Sequence, residues 1–434
     1  MDTQELLEKS PAPESRPLPS LPPGAAGTSP YRSSYFWMAF GANLAASTVL
    51  AVLFRFADFV QVLGGTEADL GYIVGIGMIG ALCMRLAQGV GMDRFGPRRI
   101  WILSLLMLAG ACAAHLAVNT LHSPSVYLLQ IGIRTALAGA FGASITYVTY
   151  QVPPARAVEV LGSLGSSGFV GMMLGTALGD LVSGGAEVTR GHVDNVFLIC
   201  TVLSLAGVAF AWRATTDPVR PPQRKLPPVI PVIKRFHPGV LLLVALAIGI
   251  GLGMPAVFVR PFGEEQGITL MAWFFWTYAP TAFVFRLTTR RFSSVYGVRP
   301  MILTGLTSAV LGCLTLMLVS RGWHFLLPGF FFGICHALIF PSVTGAGSTS
   351  FPARFRGIGV ALILAMFDLG NLIGAPLGGS LHAMATDLGW SPWPVVFSTF
   401  AGILVVIAVV YAVVSARKRA QADVKRSSLT ARVG

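Results

Sequence analysis

Charge is scarce in this chain. Only 11% of its 434 residues are Asp, Glu, Lys or Arg, and just 18 are acidic. A water-soluble surface needs roughly a quarter of its residues charged, so an ordinary soluble globular domain is excluded. Cysteine is also rare: Cys83, Cys112, Cys200, Cys313 and Cys335 all fall inside apolar runs, without a C-x-x-C pair or clustered histidines. That pattern signals neither a disulfide framework nor a metal site. The sequence also lacks a G-x-x-x-x-G-K-[ST] phosphate loop, an H-E-x-x-H and any nucleophile constellation. ATP hydrolysis, enzymatic activity and a bound cofactor are therefore not expected.

Apolar sequence is what the chain has in quantity. Hydrophobic residues make up 54% and the mean hydropathy is +0.70. Apolar runs of about 20 residues, each long enough for a helix to cross ~30 Å of hydrocarbon, predict spans at 35–56, 69–91, 100–119, 125–149, 157–182 and 194–213, then 238–259, 269–290, 300–319, 323–346, 357–384 and 392–415. The expected fold class is an all-α membrane protein of twelve transmembrane helices in two six-helix halves, 35–214 and 237–415. Residues 1–34, rich in proline, read as a disordered tail. Asp2, Glu5 and Glu8 at its start are unlike a signal peptide. Residues 215–236 form a basic linker loop and 416–434 a basic C-terminal tail.

Lys and Arg collect in the loops after even-numbered spans and in both tails. The other loops carry Arg55, Arg190, Arg260 and Arg321 among Glu67, Asp69, Glu187, Asp194, Glu264, Glu265 and Asp387. Positive charge resists crossing a bilayer, so both termini are expected in the cytoplasm, with the chain in the cytoplasmic membrane. The net charge of +13 then follows from topology, and no nucleic-acid partner is needed.

The second span ends in RLAQGVGMDRFGPRR, from Arg85 to Arg99, and 201 residues later Arg286, Leu287, Gly297 and Arg299 repeat Arg85, Leu86, Gly96 and Arg98. Gly89, Asp93, Arg94, Gly96, Arg98 and Arg99 resemble the G-x-x-x-D-R-x-G-x-R-R loop of the major facilitator superfamily. The resemblance covers roughly residues 35–415. It implies a secondary active transporter with a substrate site at the midplane between rocking halves. It also implies that this loop is a gate making charge contacts when the cytoplasmic side is shut. Ser294 occupies the position matching Asp93, so the latch is expected in one half only.

Glycine marks two further helices. Gly162, Gly171, Gly175 and Gly179 keep the spacing of the superfamily's proton-antiporter signature, with Thr176 in place of its proline and Asp180 in place of a glycine. Gly370, Gly374, Pro376, Gly378 and Gly379 answer in the eleventh span. Such faces let helices touch and slide. The same packing role is expected for Gly75, Gly77 and Gly80, whose G-x-G-x-x-G lies inside a span, where a dinucleotide site has no strand to precede it.

Ionisable groups inside hydrocarbon cost at least ~2.5 kcal/mol and are tolerated mainly beside a cavity or partner. Arg85, Arg134, Arg286 and Asp368 stand well inside the spans. Arg85 and Arg286 occupy equivalent places in the two halves; they either snorkel to the interface or face one cavity. The nitrate/nitrite porters of the superfamily carry an arginine at this position of each half, and the resemblance implies an anion clamp. Arg134 resembles the superfamily's fourth-helix arginine. Asp368 is expected as counter-ion of Arg286 or Arg134 in preference to a proton carrier. Asn371, Tyr147 and His336 are further candidates for the substrate site; Tyr147 is alternatively an interfacial anchor and His336 a packing or hydrogen-bonding residue. Three arginines against one aspartate point to a small organic or inorganic anion, with proton-coupled efflux of amphipathic compounds as the alternative. The expected partners are this substrate, the lipid bilayer and a co-transported proton, and the chain is expected to be a monomer.

Overall fold

The computed structural model describes residues 33–433, except 122, 152–153, 184–187, 217–228, 269, 271, 290–295 and 353–354. The described residues contain helices and no strand. Helix α1 joins Ser34–Val52 to Phe56–Val62 through the 3-10 turn Leu53–Arg55. It is followed by α2 (Glu67–Phe95), α3 (Pro97–His115), α4 (Pro124–Gln151), α5 (Pro154–Ser183) and α6 (Arg190–Ala214). A short linker helix, Val229–Phe236, precedes α7 (Leu241–Glu265), α8 (Ala272–Thr288), α9 (Val298–Leu316), α10 (Leu326–Thr349), α11 (Arg356–Asp387) and α12 (Pro392–Val433). Eleven of these are apolar over at least 18 residues, and α8, with 17, is the shortest of the set.

Local chemistry sets the ends of several elements. Thr66 and Asp69 form a reciprocal capping box at the start of α2, which satisfies amides that a helix terminus leaves open. The α2–α3 turn depends on Gly96 at φ +78° and the α8–α9 turn on Gly297 at φ +81°, a region costly for any residue with a Cβ. The repeat seen in sequence is thus a repeat of backbone geometry. Arg98 lies over the Trp212 ring at 5.0 Å, and Arg299 donates to the Ala412 carbonyl at 3.1 Å. Each arginine ties the start of the third helix of its half to the sixth.

Within the halves, α1 packs on α5 and α6, and α7 packs on α11. Between halves the largest contact is α2 against α11, followed by α5 against α8. Call the end bearing the α2–α3 turn the basic end. At the opposite end the halves meet closely: a Cβ on Gly71 would strike the Ala375 carbonyl, one on Gly75 would lie 2.5 Å from the Pro376 ring, and one on Gly379 would strike the Glu67 carbonyl. Tyr72 and Ser380 share a hydrogen bond of 3.1 Å there, and Phe54 stacks on Phe275 at 4.8 Å. Toward the basic end, by contrast, Leu86 is exposed, and a Cβ on Gly162, Gly165 or Gly357 would meet nothing within 4 Å.

Several boundaries differ from expectation. α1 runs to Val62, beyond residue 56, because Phe56 and Phe59 bury against His115 and Phe197. α7 continues through Pro255 and Pro261. The C-terminal tail continues α12 as helix. The expected disordered tail lies outside the described residues as far as residue 32.

Candidate functional site

Arg85 reaches from α2 across to α11, where its Nε donates to Asp368 Oδ2 at 2.9 Å. Asp368 is 3% exposed and therefore sits in the packed centre. Of the two arginines expected as its counter-ion, Arg286 lies elsewhere and Arg134 interacts only electrostatically; among the described residues the α2–α11 interface makes Arg85 the hydrogen-bonded partner. Arg134, on α4, lies within electrostatic reach of Asp368, and its buried Nε has no hydrogen-bond partner among the described residues.

Arg286 occupies different surroundings. Its guanidinium carbon lies 5.2 Å from the centroid of the Phe169 ring on α5, and its buried Nε has no hydrogen-bond partner among the described residues. Beside it, Tyr278 Oη and His336 Nδ1 share a hydrogen bond of 2.6 Å, and the His336 ring meets Phe169 at 5.7 Å and Phe340 at 5.7 Å. Phe340 in turn meets Phe367, the neighbour of Asp368, at 6.4 Å. An aromatic row thus connects the two cationic centres. The sequence left Arg85 and Arg286 either snorkelling or facing one cavity; the structure engages each with a side chain of the opposite half.

Tyr147 does not join this centre. It is fully buried against Trp101 at 6.0 Å, and its hydroxyl donates to the Ala214 carbonyl at 2.7 Å, holding α4 to the end of α6. Asn371 donates to the Phe367 carbonyl of its own helix at 3.1 Å and packs against Gly253 of α7. Gly171 and Gly175 admit α1, and Gly370 and Gly374 admit α7, as packing glycines should. Gly162 lies in open space instead. Gly75 packs on α11, and Gly77 and Gly80 pack on α4, so that fingerprint is a pair of helix contacts. Gly89, Asp93 and Arg94 end α2, but their side chains lie outside the described residues, as does Ser294; the latch expectation therefore rests on sequence. Arg98 is engaged by Trp212, while Arg99 is exposed.

One cluster was missed. Arg55 Nη1 donates to Asp58 Oδ2 at 2.8 Å, and Nη2 donates to Asp180 Oδ1 at 2.7 Å. Arg260 Nε donates to the other Asp58 oxygen at 2.9 Å. Asp180 Oδ2 accepts the backbone N–H of Ala272, the first residue of α8, at 2.8 Å. These four side chains are between 3% and 7% exposed and carry two charges of each sign. The network joins α1 and α5 of one half to α7 and α8 of the other, at the end opposite the basic one. The sequence put Arg55 at the edge of the first span and Arg260 just beyond the seventh; the helices run past both, because the carboxylates neutralise them internally. The i,i+3 spacing of Arg55 and Asp58, and an aspartate at the glycine position of the α5 signature, were the available signals. Nearby, His382 of α11 stands 3.6 Å from Glu67 of α2 and 3.2 Å from Glu265 of α7.

Two six-helix repeats meeting around buried ion pairs define a membrane transporter. The family model of the Major Facilitator Superfamily matches residues 35–285 and 262–432, and the chain belongs to that family. It is a multi-pass membrane transporter, not an enzyme. Among solved structures, a mutant of the nucleoside transporter NupG aligns with TM-score 0.74 at 16% identity, covering 88% of this chain and 98% of that one. A D-xylose-proton symporter aligns with TM-score 0.71 at 14% identity, covering 87% and 96%. A POT family transporter in complex with 5-aminolevulinic acid aligns with TM-score 0.70 at 11% identity, covering 88% and 96%. These similarities concern the fold. A search of curated proteins gives no match.

Proposed function

We propose that this transporter moves a small organic or inorganic anion across the cytoplasmic membrane by alternating access, as a monomer with both termini in the cytoplasm. One observation supports the reading: among the described residues Arg85 is the mid-bundle arginine hydrogen-bonded to a carboxylate, while the buried Nε atoms of Arg134 and Arg286 have no hydrogen-bond partner there. A buried N–H without an acceptor is costly, and an anionic substrate would supply the missing acceptor with charge-assisted hydrogen bonds. Asp368 acts as a breakable counter-ion. Protonating it releases Arg85, which couples transport to a proton. With this orientation, the end sealed by Gly71, Gly379 and the Arg55–Asp58–Arg260–Asp180 network faces outward.

The test is a thermal-shift panel on purified protein, because a ligand that binds only the folded state raises its apparent stability. Anions should stabilise the protein, and Arg286→Lys should lose roughly 30-fold or more in affinity, since an ammonium cannot copy the planar fork. Stabilisation by amphipathic cations alone would replace this reading with proton-coupled efflux, for which the mid-bundle carboxylate Asp368 would be the proton site.

A further inference from the structure

The two repeats make one inter-half contact with different chemistry. Arg85 and Arg286 each stand eleven residues before the positive-φ glycine that turns the chain, Gly96 or Gly297. Each reaches the glycine-rich helix of the other half, α11 or α5. Packing sets the register of those helices independently. A Cβ on Gly171 would meet the Leu44 carbonyl at 3.0 Å and the Thr48 amide at 2.9 Å. One on Gly370 would strike the Leu246 carbonyl and meet the Ile250 amide at 2.9 Å. Both glycines therefore touch a carbonyl and the amide four residues further on. Two residues before Gly370 is Asp368, and two residues before Gly171 is Phe169.

The position that gives Arg85 a carboxylate thus gives Arg286 a phenyl ring. Resting on the anion reading above, we propose that Arg286 over Phe169 is the seat of the substrate's anionic group, and that the substrate is an organic carboxylate with an aromatic body. A guanidinium lying over a ring face keeps its in-plane N–H fork free, and that fork matches a carboxylate bidentately. The unpartnered Nε of Arg286 belongs to this fork. A ring quadrupole offsets the buried charge far less than an aspartate does, so the seat stays receptive. Phe169 lies against the guanidinium, Tyr278 and His336 stand near it, and Phe340 packs edge-on against His336; this aromatic neighbourhood suits a flat apolar body. Phe169 determines specificity here by not being an aspartate.

Restoring the repeat's symmetry tests this. Phe169→Asp places an internal carboxylate beside Arg286 and should weaken benzoate binding about 100-fold, judged by microcalorimetry on purified protein. Phe169→Leu should still bind benzoate but lose its preference for benzoate over acetate. If wild type binds benzoate and Phe169→Asp binds it within threefold, the seat is elsewhere and the anion reading survives. If no anion binds wild type while tetraphenylphosphonium does, the anion reading fails and this seat with it. Should Phe169→Asp not fold, Phe169→Asn and Arg286→Lys read the same seat. The first should bind benzoate within about tenfold of wild type and the second at least about 30-fold more weakly; undiminished binding in Arg286→Lys overturns the proposal.

Discussion

Asp58→Asn keeps the outline of the side chain and removes its charge. In the native network Asp58 accepts one hydrogen bond from Arg55 at 2.8 Å and one from Arg260 at 2.9 Å while 3% exposed. Removing one partner of a buried ion pair costs about 3–5 kcal/mol. Asparagine retains one acceptor oxygen, so the lower figure applies, about 3 kcal/mol or a factor of about 150. That cost falls on the conformation closed at this end, because separating α1 from α7 lets water reach both guanidinium groups. The closed-to-open ratio should drop by the same factor. Spin labels at Asn119→Cys in one half and Leu388→Cys in the other, both exposed and at this end, report it as a longer inter-label distance in a background without native cysteines. Asp58→Asn combined with Arg260→Gln should cost less than the sum of the single changes, because the two groups share an interaction. An unchanged distance distribution in Asp58→Asn would refute the role of this network in holding the halves together.

Gly379→Val should keep the same end from sealing, since a Cβ there strikes the Glu67 carbonyl. Transport should fall at least about tenfold, whereas Gly110→Ala, in open space, should transport normally; equal rates in both would dismiss the contact. Gly96→Ala and Gly297→Ala should each destabilise the protein by about 1–2 kcal/mol, because both glycines hold a left-handed backbone, and thermal melting would show a shift of similar size in each. Single cysteines in the loop from Thr215 to Lys234 should react with an impermeant reagent only from the cytoplasm; labelling from outside intact cells would invert the topology.

Most of the fold was legible in the sequence, for a simple reason. Hydrocarbon thickness demands long apolar helices, and each half repeats the other, so run length, loop charge and the Arg85–Gly96 and Arg286–Gly297 intervals carried helix number and symmetry. Glycine spacing likewise marked α5 and α11 as close-packing helices, which Gly171 and Gly370 are. Pairing was not legible, because it depends on side chains far apart in the chain meeting across the two halves. By sequence Asp368 was expected to serve Arg286 or Arg134, and only the α2–α11 contact brings it into an ion pair with Arg85. Arg55 and Arg260 looked like loop charges because a hydropathy window stops at a charge, whereas the folded chain buries a charge wherever a distant helix brings its counter-ion. Tyr147 looked like a cavity residue until packing against Trp101 and the Ala214 carbonyl claimed it. A local pattern sets which helices form; which charges remain without a partner is decided only when twelve of them are packed.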